Sequence, residues 1–249
     1  MKNINLYLGD YRTCLQNILA DLIFTSPPYN IGSKSPRNDG VRRLGKYDPK
    51  SYGAIRDYPD DLPEDEYQEQ QVEFLIWAAA HLKQNGVLVY NHKPRRNGRM
   101  IVPAEWFLRP TVRERLVLME EIIWDRDSTH NHCPQMMWNV SERLYVFRRP
   151  EGRYLLNNRK YSDVWRIKRA SANGHNAPFP LELAERVVGE FSRRGGLVCD
   201  PYLGSGTTAI AAQNLGRRFE GAEILEKYHT MAKERLERAA LSINQEAAA

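Results

Sequence analysis

The sequence predicts an α/β fold built on an open, mostly parallel sheet with ligand-bearing turns at its strand ends. Three segments predict it. Leu22-Ile23-Phe24 is a short apolar run that stops at Thr25-Ser26-Pro27-Pro28-Tyr29-Asn30. Tandem prolines remove two backbone donors and fix φ, so the chain leaves that strand in a stiff turn. Leu197-Val198-Cys199-Asp200 is a second apolar run, followed by a turn carrying Gly204 and Gly206 and an Ala-rich helix from Thr207 to Asn214. Phe219 to Glu223 is a third strand, ending in an acid about twenty residues beyond the glycine turn, where nucleoside-binding α/β sheets place a carboxylate for ribose hydroxyls.

The remaining elements follow in order. Ile4 to Leu8 is a short strand, and Gly9-Asp10 turns into a helical stretch ending near Ala20, with Asp10 suited to capping it. Asn30 to Pro63 has no periodicity and carries Lys34, Arg37, Arg42, Arg43 and Lys46 among glycines. So long a glycine-bearing loop, starting beside the Pro-Pro turn, is expected to be functional or disordered. Glu64 to Lys83 is a helix with Tyr67, Gln71, Leu75, Ala78, Ala79 and Leu82 on one face, stopped by Gly86. Val87 to Tyr90 is the next buried strand. His92 to Arg115 is basic and interrupted, with Lys93, Arg95, Arg96, Arg99, Arg109 and Arg113 between its ends. Ile122 to Trp124 and Arg143 to Phe147 are two further strands, with Glu142 just before the second. His130, His132 and Cys133 lie between them without a fourth ligand nearby, so no metal is predicted. Lys160 to Asn176 is again basic and polar.

Composition is compatible with this and selects nothing. The 249 residues suit one domain with insertions; 36 Lys+Arg against 31 Asp+Glu give a net charge of +5, which favours a polyanionic partner. Cysteines 14, 133 and 199 form neither a disulfide framework nor a metal motif. No apolar run is long enough for a membrane span and no signal-peptide pattern opens the chain, so a soluble, cytoplasmic protein is expected.

Ser26-Pro27-Pro28-Tyr29 and Asp200-Pro201-Tyr202-Leu203-Gly204-Ser205-Gly206-Thr207-Thr208 together resemble the motifs of the amino-group DNA methyltransferases, which methylate N4 of cytosine or N6 of adenine with S-adenosylmethionine. In that family the first is the catalytic motif and the second the cofactor loop, here with Tyr202 where Phe is usual. The catalytic motif comes first, so the chain resembles the β order, a circular permutation of the sheet. The resemblance implies a Rossmann-like S-adenosylmethionine-dependent sheet, mostly parallel with one antiparallel strand, the second of the two strands after the basic stretch. It implies a single domain over 1–249, with target-recognition insertions within 30–63 and 92–120 and a further candidate in 126–176. The implied catalytic residues are Ser26, Pro27, Pro28 and Tyr29. The implied cofactor site comprises Asp10, Phe179, Pro180, Asp200, Leu203, Gly204, Ser205, Gly206, Thr207, Thr208 and Glu223. Double-stranded DNA is the implied partner, held by Lys34, Arg42, Arg43, Arg95, Arg96 and Arg99. A companion restriction endonuclease is the other partner expected, and the protein itself is expected as a monomer or homodimer.

Those residue types suit the chemistry. The exocyclic amine of a base is a poor nucleophile because its lone pair is delocalised into the ring. Hydrogen bonds from both of its N–H groups to fixed acceptors favour a tetrahedral nitrogen and localise that pair. Ser26 Oγ and the Pro27 carbonyl supply such acceptors, and the Tyr29 ring supplies a stacking face. The target amine is out of reach in a duplex, so the base must flip. C5-cytosine methylation would need a nucleophilic Cys after Pro; no Pro-Cys dipeptide occurs, and Cys133 precedes Pro134. Thr-Ser-Pro-Pro-Tyr favours cytosine N4 over adenine N6. A catalytically silent DNA-binding subunit would need neither intact motif.

Overall fold

The computed structural model describes residues 3–30, 62–97, 100–127, 137–153, 157, 161–169 and 179–248. Its first half contains β1 (Ile4–Leu8), α1 (Tyr11–Cys14), β2 (Ala20–Thr25), α2 (Glu64–His81), β3 (Leu82–His92), β4 (Arg95–Asn97) and β5 (Met100–Val102). A 3-10 turn (Glu105–Leu108) leads to α3 (Pro110–Arg113), β6 (Val117–Asp125), β7 (Ser141–Arg148) and β8 (Val164–Arg166). The chain closes with α4 (Leu181–Phe191), β9 (Leu197–Asp200), α5 (Thr207–Asn214), β10 (Arg218–Glu223) and α6 (Glu226–Ala248). Among the described residues no helix is long and apolar enough to cross a membrane.

Eight strands form one sheet in the order β1-β10-β9-β2-β3-β7-β6-β8, while β4 and β5 pair in a separate hairpin. β7 runs against both its neighbours, β3 and β6, and every other pairing of the large sheet is parallel. Strands buried on both faces read as continuous apolar runs, and the two faces divide them residue by residue. Leu22, Phe24, Val87, Val89 and Val198 pack with α4, α5 and α6. Ile23, Leu88, Tyr90 and Cys199 point the other way, against α1 and α2. This alternation places β2 centrally, next to β9, with Leu22 opposite Val198 and Ile23 opposite Cys199. The Pro-Pro turn and the glycine turn therefore leave the same edge of the sheet from adjacent strands, the crevice in which open α/β sheets bind ligands.

Two helix expectations are corrected. α1 stops at Cys14, and Ala20, expected near a helix end, is already a fully buried strand residue opposite Leu82. Thr13 and Asn17 are weak helix formers, and strand pairing claims the chain first. α2 likewise ends at His81, and Gly86 lies within β3. A Cβ on Gly86 would sit 2.7 Å from the Ala20 carbonyl oxygen, so this glycine permits close approach of β2 at its register shift.

The helices that follow the glycine turn depend on another small residue. Gly206 has φ 80° and caps the start of α5. A Cβ there would lie 2.8 Å from Cβ of Ala232 on α6. Gly206→Ala should therefore lose about 1–3 kcal/mol of stability from backbone strain alone, measured by urea unfolding. Unchanged stability would contradict the close helix contact.

Candidate active site

Thr25, the last residue of β2, donates from Oγ1 to Asp200 Oδ1 at 2.7 Å. Thr208, on α5, donates from Oγ1 to Asp200 Oδ2 at 2.6 Å, and the Tyr202 amide donates to Oδ1 at 3.2 Å. Asp200 is 2% exposed, and burial raises its carboxyl to about 6 against the opposing pull of the Thr208 and Thr25 hydroxyls. The side chains of Asp200 and Thr208 thus serve as a joint between the two turns. Ser205 is also turned inward: Arg235 of α6 donates from Nη1 to its carbonyl at 2.5 Å and to its Oγ at 2.6 Å, and to Thr207 Oγ1 at 3.2 Å.

What the glycine turn presents outward is backbone and one acid. Gly204 has φ 52°, in the left-handed region, and donates its N–H to Glu223 Oε2 at 2.8 Å. The Leu225 amide donates to Glu223 Oε1 at 2.9 Å, and burial raises the Glu223 carboxyl despite those bonds. Leu8 pairs in register with Glu223, and Leu8 and Ile224 are large apolar residues exposed at this edge. Leu203 is buried in the core, whereas Phe179 is part-buried and packs its ring 4.8 Å from that of Phe24 just before Pro180 caps α4. Asp10 caps α1 through the Arg12 amide (2.8 Å) and pairs with the Arg12 guanidinium at 2.7 Å, which lowers its carboxyl.

Beside this lies a second cluster, built on Tyr29. Ser26 Oγ and Tyr29 Oη are 2.6 Å apart. Asn91 of β3 donates from Nδ2 to Tyr29 Oη at 2.9 Å and to Glu142 Oε2 at 3.2 Å. Tyr29 Oη donates to Glu142 Oε2 at 3.3 Å, and Glu142 Oε1 accepts from Arg126 Nη1 at 2.9 Å. Tyr29 is half-buried, and burial together with the Glu142 charge holds its phenol well above its ordinary range. The Tyr67 hydroxyl holds the Pro28 carbonyl at 3.0 Å and contacts His92 Nε2 at 2.7 Å. Burial and then the Arg95 charge lower His92 to about 3, so it is neutral. Lys93 Nζ lies 5.2 Å from the Tyr29 ring centre. Asn30, at φ 53°, donates from Nδ2 to the Leu62 carbonyl at 2.9 Å and so ties the two ends of segment 31–61 together beside the motif.

Arg95 requires a further correction. The basic stretch points it toward DNA, but it is buried: Nη1 and Nη2 bond both oxygens of Glu64 at 2.5 and 2.6 Å, and its guanidinium lies 4.3 Å from the Tyr67 ring centre. A guanidinium paired bidentately in a protein interior is not offered to a phosphate. Lys34, Arg42, Arg43 and Arg99 lie outside the described residues, as do His130, His132 and Cys133. For Arg96 only the backbone, in β4, is described. Among the described residues no group of His, Cys, Asp and Glu could hold a metal ion. Sequence reasoning missed Asn91, Arg126, Glu142, Tyr67 and Arg235 as site residues. Only Glu142 carried a signal, as an acid at the start of a strand whose centre, Leu144 to Phe147, is apolar and aromatic.

A family model described as DNA methylase matches residues 20–234 of this chain. The type II methyltransferase M.ScaI of Streptomyces caespitosus is 26% identical over 97% of this chain and 84% of its own length. M.SmaI of Serratia marcescens, another type II methyltransferase, is 25% identical over 95% of this chain and 91% of its own length. Among solved structures, a DNA modification methylase from Thermus thermophilus (TTHA0409), complexed with S-adenosyl-L-methionine, is similar with a TM-score of 0.67. It is 27% identical, covering 94% of this chain and 93% of that one. PvuII DNA methyltransferase (cytosine-N4-specific) shares the fold with a TM-score of 0.69 at 19% identity, over 93% of this chain and 85% of that one.

The Asp200 joint has a pH signature. Its carboxyl lies near 6 in the folded protein, against about 4 for an unperturbed Asp. Between those values the native state holds more protons than the unfolded state, so this group's contribution to stability falls as pH rises through the window. Asp200→Asn should flatten the pH dependence of unfolding free energy between about pH 4 and 6. An unaltered slope would place the titration elsewhere.

Proposed function

The chain belongs to the N6/N4 DNA methylase family, and we propose that it methylates N4 of cytosine in double-stranded DNA at a specific sequence. The observation that carries this reading is the placement of Ser26-Pro27-Pro28-Tyr29 directly beside the glycine turn, joined through Thr25 and Asp200. Choice of cytosine rests on Ser26, a small hydroxyl where adenine-specific relatives more often carry an acid.

The residues present fit S-adenosylmethionine as methyl donor. Glu223, anchored by two backbone amides, presents a carboxylate for ribose hydroxyls, and the apolar Leu8 and Ile224 border it as the adenine requires. Gly204, at φ 52°, supports close backbone approach, and the family resemblance assigns Phe179-Pro180, at the start of α4, to the methionine end. The donor supplies a methyl group already activated on a sulfonium, so the protein's task is alignment. Ser26 Oγ and the Pro27 carbonyl accept the two amine hydrogens and turn the nitrogen lone pair toward the crevice. Tyr29 stacks on the flipped base. Asn30 and Leu62, the residues that flank 31–61 in the chain, meet beside the motif, which supports Lys34, Arg42 and Arg43 as DNA contacts. Arg96 and Arg99 are kept as candidates, without Arg95.

DNA incubated with the protein and S-adenosylmethionine, digested to nucleosides and resolved by mass spectrometry, should yield N4-methylcytosine. N6-methyladenine would move the target base within the same family, and unmodified DNA would overturn the enzyme. Glu223→Ala should weaken cofactor binding by about 1.5–3 kcal/mol, the loss usual for a charged hydrogen bond, measured by calorimetry. Undiminished affinity would remove Glu223 from the donor site.

A further inference from the structure

An amine that enters methylation with two hydrogens leaves with one, and the hydrogen-bond geometry around Ser26 supplies a route for the other. The Tyr29 hydroxyl has a single hydrogen, directed to Glu142 Oε2 at 3.3 Å. Its oxygen accepts from Asn91 Nδ2 at 2.9 Å; either hydroxyl can donate in the 2.6 Å contact with Ser26, and with the Tyr29 hydrogen on Glu142 the donor there is Ser26. The hydrogens then all run one way, from Ser26 to Tyr29 to Glu142. With its own hydrogen on Tyr29, Ser26 Oγ is left as an acceptor, met within the protein only by Asn91 Nδ2 at 3.5 Å among the described residues, as an oxygen receiving an amine N–H must be. Glu142 is buried, 8% exposed, and Arg126 holds its other oxygen at 2.9 Å, with Arg126 itself fixed by the Asn139 carbonyl at 2.7 Å. Glu142 thus offers Oε2 to the phenol while the guanidinium holds Oε1, the geometry that the last acceptor of such a path requires.

We propose that Glu142 is a positioning residue that orients Ser26 through Tyr29 and takes up, along the same path, the proton released by the methylated amine. This rests on the reading of the protein as an amino-methyltransferase. As the amine nitrogen bonds the methyl carbon, the carbon–sulfur pair stays on sulfur and the nitrogen becomes cationic. Its surplus proton passes to Ser26 Oγ, the Ser26 hydrogen passes to Tyr29 Oη, and the Tyr29 hydrogen passes to the Glu142 carboxylate, which becomes a neutral acid. The charged groups around this path are Arg126 from the end of β6 and Lys93 over the Tyr29 ring; His92, whose ring is 4.9 Å from that of Tyr29, is neutral.

Glu142→Gln and Tyr29→Phe keep the shape of the path and break it at different links. Single-turnover methyl transfer to a cognate duplex should fall by about 100-fold or more in each. Dissociation constants for S-adenosylmethionine and DNA should stay within about two-fold, and the double variant should be no slower than the slower single one, as for groups acting as a unit. In the free protein labelled with 13Cζ-tyrosine, the Tyr29 resonance, assigned by its loss in Tyr29→Phe, should shift in Glu142→Gln. A wild-type rate in either variant, additive losses or an unmoved Tyr29 resonance would overturn the relay. Should Glu142→Gln fail to bind cofactor, the rate of Tyr29→Phe decides alone. Methylation by the unaltered protein tests the enzyme reading separately, so failure of the relay leaves that reading intact.

Discussion

The carboxylate of Asp200 is the constraint on which the rest of the site depends. Two motifs separated by 175 residues of chain meet through it, Thr25 closing one strand and Asp200 its neighbour. Parallel pairing of β2 and β9 brings these residues together, but only two registered pairs, Leu22–Val198 and Ile23–Cys199, hold the strands directly. The side-chain bond from Thr25 continues the contact one step beyond the ladder, and the second bond, to Thr208, extends it into α5. Burying a carboxylate is costly unless its lone pairs are met, and here two hydroxyls and an amide meet them. The residue after Thr25 is Ser26, so any shift of Asp200 is a shift of the Pro-Pro turn.

Around that joint each turn is braced from a different direction. Arg235 grips Ser205 and Thr207 from α6, and Gly206 lets α6 come close enough to do so. Tyr67, from α2, holds the Pro28 carbonyl, while Asn91 and Glu142 hold Tyr29 from β3 and β7. The bracing groups come from both faces of the sheet and from the antiparallel strand. That arrangement suits a reaction in which the electrophile is already activated and geometry carries the remaining acceleration.

The sheet's central strands and the helix after the glycine turn were legible because apolar runs and punctuating residues coincide there. Leu197–Asp200 and Thr207–Asn214 end where Pro201 and the flanking glycine and leucine require. The two motifs themselves were legible for the same reason, since their spacing is local. The partners were not. Asn91, Arg126 and Glu142 look like ordinary strand-end polar residues, and only the pairing of β3, β7 and β6 brings them to Tyr29. Charge clustering misled at Arg95, because a run of basic residues carries no sign of which ones turn inward to meet Glu64 and Tyr67. Gly86 misled in another way: its lack of a side chain serves a neighbouring strand rather than a helix end.

Thr25→Val removes the hydroxyl of the joint and keeps the shape of the side chain. Its single-turnover rate of methyl transfer, with cofactor and DNA both saturating, tests most directly whether the two motifs work as one aligned site. A loss of about 10- to 100-fold with both ligands still bound is expected, since displacements of about an ångström cost that much in a positioned reaction. A rate equal to that of the unaltered protein would contradict the claim that the Thr25–Asp200 bond sets the alignment.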